Sequence, residues 1–68
     1  MRWFFCIEEN WLVREDDGNL YDPDTDKEVT SITVEMMATG GLTWHEFDND
    51  PRGFGVETLK QVGKLVGV

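Results

Sequence analysis

Residues Trp3-Phe4-Phe5-Cys6-Ile7 are apolar at every position. Aromatic and β-branched side chains in so short a run suit a strand better than a helix. Alternation along a strand places Trp3, Phe5 and Ile7 on one face and Phe4 and Cys6 on the other. A strand that is apolar on both faces belongs in the middle of a sheet. Glu9-Asn10 then separates it from Trp11-Leu12-Val13-Arg14, the pattern of a tight antiparallel hairpin.

The rest of the chain continues this reading. Glu15-Asp16-Asp17-Gly18-Asn19 is a turn, with Gly18 free to take positive φ. Leu20-Tyr21-Asp22 is a short extended piece, and Pro23-Asp24-Thr25-Asp26 a second turn. From Val29 to Thr39, Thr30, Ile32, Val34 and Met36 alternate with Ser31, Thr33, Glu35 and Met37, the period-two signature of a half-buried strand. Gly40-Gly41 joins it to Leu42–Phe47 as a second hairpin. A competing reading takes Thr43-x-x-Glu46 as a capping box that opens a short helix over 44–49. Val56, Leu59, Val62 and Val66 recur at helical spacing, with Glu57, Lys60, Gln61 and Lys64 opposite. This predicts an amphipathic C-terminal helix of about three turns. Gly63 sits at the edge of its apolar face, where it allows close approach to a bulky aromatic, and Gly67 is its C-cap. The expected fold is α+β: an antiparallel sheet of four or five strands packed by one C-terminal helix.

Length and charge narrow the function. At 68 residues the chain makes one domain, residues 1–68, and buries only about 60% of its unfolded surface in one small core. A large catalytic cleft between domains is excluded. The longest apolar run is far short of the ~18–20 residues that span a bilayer, and the first residues lack the pattern of a signal peptide. The lone Cys6 allows no internal disulfide, which fits a reducing cytoplasm. Six Lys+Arg against fourteen Asp+Glu give a net charge of −8. That balance opposes direct contact with nucleic acid or anionic membrane, both of which are bound chiefly through Lys and Arg. Seven of the eight net charges arise between Glu8 and Glu28.

Few residues carry recognisable chemistry. Asp22-Pro-Asp24-Thr-Asp26-Lys-Glu28 begins like a calcium loop, but Lys27 and Thr33 occupy the positions where an EF-hand needs Gly and a bidentate acid. Cys6 and His45 are the sole thiol and imidazole, too few for a structural zinc site. Cys6 in an aromatic strand reads as buried and inert, not as a nucleophile paired with His45. No motif implies a cofactor or an enzyme. The carboxylates of Glu15, Asp16, Asp17, Asp22, Asp24, Asp26 and Glu28 are the candidate contact residues, because self-repulsion makes such clustering costly and solubility does not require it. An exposed aromatic, from among Trp11, Trp44 and Phe54, would anchor the contact.

In size and charge the chain resembles small phage-encoded inhibitors of host defence, such as anti-CRISPR and anti-restriction proteins. That resemblance rests on no motif. It implies an acidic binding protein, monomeric or homodimeric, that occupies the basic nucleic-acid-binding surface of a larger protein or nucleoprotein complex. The alternatives are a calcium-responsive module built on the Asp22–Glu28 turn, or a helix-mediated adaptor or homodimer whose contact is the strand edge or the Met36/Trp44 hairpin.

Overall fold

A computed structural model describes residues 1–67. In chain order the elements are β1 (Arg2–Cys6), β2 (Trp11–Asp16), β3 (Asn19–Tyr21), β4 (Glu28–Val29), α1 (Val34–Thr39), β5 (Trp44–Phe47), α2 (Val56–Val62) and β6 (Lys64–Leu65). The six strands form one sheet of order β4-β3-β2-β1-β5-β6. All five pairings are antiparallel. The fold is therefore α+β with an antiparallel sheet, carrying two helices where the sequence suggests one.

The strand that is apolar on both faces sits between β2 and β5, as its pattern requires. Cross-strand partners share a face. Phe4 opposes Val13 and Glu46, and Cys6 opposes Trp11 and Trp44. On that face Phe4, Cys6, Val13, Leu20 and Trp44 enclose Met37 from α1. Trp3 opposes Arg14 and Phe47, while Phe5 opposes Leu12 and His45. On this second face Trp3 and Phe47 bury Leu59 from α2, flanked by Phe5 and Leu12. The core is thus divided by the sheet, with one helix on each side of it.

Residues 29–39 do not form the expected strand, and the Gly40-Gly41 hairpin is not made. After two residues of β4 the chain turns into α1. Thr33 caps this helix, its Oγ1 accepting from Met36 N at 3.3 Å, with Glu35 in the first turn. Favourable capping and an acid near the helix N-terminus outweigh the β-branched alternation. The apolar residues that looked like a strand face, Val34 and Met36, instead share a short helix in which Met37 is the buried one. Residues 44–47 form a strand and not the capping-box helix over 44–49, and its partners are β1 and β6, not the preceding segment.

The C-terminal helix is shorter than its periodicity predicts. It stops at Val62 because Gly63 adopts φ −75° and ψ 147°, and Lys64–Leu65 then extends along β5. Gly67 is not its cap. Gly63 does permit a close approach: a Cβ there would lie 2.6 Å from Cζ of Phe47 and 2.9 Å from Cβ of His45. Of the predicted apolar face only Leu59 docks on this sheet face. Val56 and Val62 are 50% and 58% exposed, and Val66 packs against the Met37 side of the sheet instead.

Candidate partner-binding surface

The segment Asp22–Glu28 is pinned by its own backbone. Asp22 N donates to Lys27 O at 2.9 Å, and Asp26 N donates to Asp22 O at 2.7 Å. Asp24 N donates to the Asp22 carboxylate at 2.9 Å, the local side-chain bond that makes Asp a turn former. Two arginines then reach the turn from outside. Arg14 Nη2 meets Asp26 at 2.7 Å while its Nε meets Asp16 at 2.8 Å. Arg52 Nη1 meets Asp24 at 3.1 Å while its Nη2 meets Asp50 at 2.6 Å.

Arg2 repeats the arrangement elsewhere, bridging Glu15 at 3.1 Å and Glu46 at 3.7 Å across three strands. Each of these arginines also lies over an aromatic ring: Arg2 over Phe4 at 5.2 Å, Arg14 over Tyr21 at 5.6 Å and Arg52 over Trp3 at 5.6 Å. The planar guanidinium suits both contacts at once. All three arginines of the chain are therefore engaged internally. The Asp24 and Asp26 side chains nonetheless remain 79% and 77% exposed. Pairs this exposed are weak, so their carboxylates stay open to exchange with cations from outside.

The acidic residues do not all gather on one face. The registers put Glu15 on the Phe4 side of the sheet and Asp16 on the Trp3 side. Asp17 is exposed in the β2–β3 turn at φ 52°, where Glu15 also accepts from Gly18 N at 3.0 Å. Glu28 is exposed on β4. What the structure does bring together is Asp16, Asp24 and Asp26, joined by Asp50. Asp50 was missing from the sequence reading. Its sole local signal is the Asp50-Pro-Arg52 spacing, and it joins Asp24 only through Arg52, which lies 28 residues from Asp24.

The aromatic candidates separate by burial. Trp44, expected as a possible anchor, is 3% exposed and belongs to the core, because β5 lies against β1 and turns it towards Met37. Trp11 is half-buried and packs on Trp44, ring centroids 5.5 Å apart. Phe54 is 44% exposed.

Cys6 and His45 lie on opposite faces of the sheet, since Cys6 opposes Trp44 and His45 opposes Phe5. They cannot act as a pair. Burial pushes the Cys6 thiol up from its ordinary pKa, against the pull of nearby backbone N–H groups. Glu8 is held below the usual carboxylate range by its own backbone N–H and by Thr43, whose N lies 3.1 Å from both oxygens. Asp50 is held low by Arg52. Among the described residues no group of three or more His, Cys, Asp or Glu could hold a metal ion, and no helix is long and apolar enough to cross a membrane. The carboxylates of Asp22, Asp24 and Asp26 meet a backbone N–H group, Arg52 and Arg14 instead.

No protein-family model, curated protein or solved structure matches the chain.

Proposed function

We propose that this chain is an acidic binding protein that occupies the basic, nucleic-acid-binding surface of a larger protein and so blocks it. The observation that carries the reading is the Asp22–Asp26 turn. It is fixed by backbone bonds and by Arg14 and Arg52, yet it leaves the Asp24 and Asp26 carboxylates more than three-quarters exposed. A turn held in shape before contact loses little conformational freedom on binding, and its charges accelerate encounter with a cationic surface. Asp16 and Asp50 extend the same acidic surface on either side. The role is that of the small phage-encoded inhibitors whose size and charge the chain resembles.

The test is capture of partners at low salt, followed by competition with duplex DNA or RNA. Nucleic acid and the carboxylates should exclude one another on the captured protein. Binding should weaken steeply between about 0.05 and 0.5 M salt. The triple variant Asp22/Asp24/Asp26→Asn should lose it while keeping the wild-type circular dichroism spectrum. Undiminished binding by that variant, or indifference to nucleic-acid competitors, would refute the proposal.

A further inference from the structure

Phe54 is held out from the body of the protein by a braced turn. Phe54 N donates to Pro51 O at 3.1 Å, and Gly53 takes φ +95°, a conformation that side chains rarely adopt. Arg52, one residue before Gly53, is fixed by contacts of 2.6–3.1 Å to both oxygens of Asp50. The exposed ring stands between two open grooves. One, of about 200 Å³, is lined by Phe47, Asp48, Asn49, Asp50, Val62 and Lys64 among others; the second, of about 280 Å³, is lined by Leu12, Val56 and Leu59 among others. Phe54 lines both, so it joins the exposed Val56 and Val62 into one apolar surface. A rigid aromatic bordered by grooves is the form that interface anchors take.

The charges around this surface indicate what covers it. Arg52 ties its loop to the acidic turn through Asp24, and Glu46, Asp48 and Asp50 line one groove together with a single cation, Lys64. Across these grooves and the neighbouring turn, Asp24, Glu46, Asp48 and Asp50 outnumber Arg52 and Lys64 four to two, and a second copy meeting this surface about a two-fold axis would bring the same acidic excess to the contact. With a net charge of −8 that contact is repelled. A cationic partner is attracted by the same groups.

We infer that Phe54, with Val56 and Val62, is the apolar anchor of the protein contact, and that it receives an aliphatic or aromatic side chain flanked by lysines or arginines. The inference rests on the proposed basic protein partner and adds the place and chemistry of its central contact.

Two peptides test it by nuclear magnetic resonance on nitrogen-15-labelled protein: Ac-Lys-Lys-Leu-Lys-Lys-NH2 and its counterpart with Gly in place of Leu. At about 0.05 M salt the Leu peptide should bind about tenfold more tightly than the Gly peptide. It should shift chiefly the amides of Asn49, Phe54, Val56 and Val62. Phe54→Ser and Val62→Ser, both at exposed positions and each checked by circular dichroism, should reduce the Leu peptide to the affinity of the Gly peptide. Phe54→Leu should restore most of the difference. Equal affinity of the two peptides would overturn the anchor while leaving the charge-based function standing. Failure of both to bind at low salt would overturn the function and the anchor together. Concentration-dependent shifts at the same amides without peptide, with doubled mass by light scattering, would assign the surface to a second copy and overturn the inference.

Discussion

Gly63→Ala is the substitution whose effect follows most directly from the packing. The backbone at Gly63, φ −75° and ψ 147°, is open to any residue, so conformational strain is absent. By reducing the freedom of the unfolded chain, alanine alone would stabilise by about 0.4–1 kcal/mol. Sterics oppose this. The added methyl would lie 2.6 and 2.8 Å from Cζ and Cε2 of Phe47 and 2.9 Å from Cβ of His45, where carbon atoms normally rest about 3.5–4.0 Å apart. Phe47 is 4% exposed and packed against Trp3 and Leu59, so its ring can yield only by disturbing that packing. The His45 atom is fixed to the backbone of β5, so that strand must shift as well. Overpacking of this kind costs about 1–3 kcal/mol, which exceeds the entropic gain. A chain of this length has only about 3–10 kcal/mol of total stability.

The net loss of about 1–2 kcal/mol should lower the thermal midpoint by about 5–15 °C, read from the fluorescence of the buried Trp3 and Trp44. Phe47→Leu removes the two ring atoms that clash. The double variant should therefore be more stable than the sum of the single losses predicts, by about 1 kcal/mol. Gly55→Ala is the control, since a Cβ there meets nothing within 4 Å. Its entropic gain and the poorer N-cap offset each other to within about 0.5 kcal/mol. A Gly63→Ala protein with an unchanged midpoint, or strict additivity with Phe47→Leu, would refute the close-packing argument.

Acid should weaken the fold through Glu8 and Asp50. Both are held below the ordinary carboxylate range, so their contribution is complete above that range and is lost as pH falls through their depressed folded values. Glu8→Gln and Asp50→Asn should each flatten the fall of the thermal midpoint with pH, and an unaltered slope would exclude them as its source. The Cys6 thiol, fully buried and with its pKa raised, should resist alkylation in the native protein and react when urea unfolds it; rapid native labelling would contradict its placement. Thr33→Ala removes the side-chain cap of α1 and should cost about 1 kcal/mol by denaturant titration, whereas an unchanged midpoint would show the cap to be dispensable.

What the sequence made legible was local. Trp3–Ile7 has side chains that admit one placement, and the turn chemistry around Gly18 and Pro23 left little choice, so the order and type of β1 to β3 follow from alternation. Their ends do not, since Cys6 rather than Glu8 faces Trp11 and β2 runs on to Asp16. Residues 29–39 misled because Val34 and Met36 satisfy a strand period as well as a short helix. Thr33, the residue that decides between them, looks like one more β-branched member of the run. At the other end, Val56, Leu59, Val62 and Val66 have flawless helical spacing, but spacing is indifferent to Gly63 pressing against Phe47, which diverts the chain into β6. The candidate surface was legible in its acids and not in its arginines. Arg14 and Arg52 acquire their partners through contacts 12 and 28 residues away, and only the folded sheet creates those neighbours.

The outermost strands, Glu28–Val29 and Lys64–Leu65, are two residues long, while the longer β1 and β2 lie inside the sheet with neighbours on both sides. Unpaired backbone at a sheet margin is what recruits further chains into fibres, and two residues offer a poor template, the more so with Glu28 on one margin and Lys64 on the other. The chain can therefore expose carboxylates and the Phe54 ring on its surface without those margins seeding polymerisation with itself, and strand-to-strand growth should require that β4 or β6 first peel away.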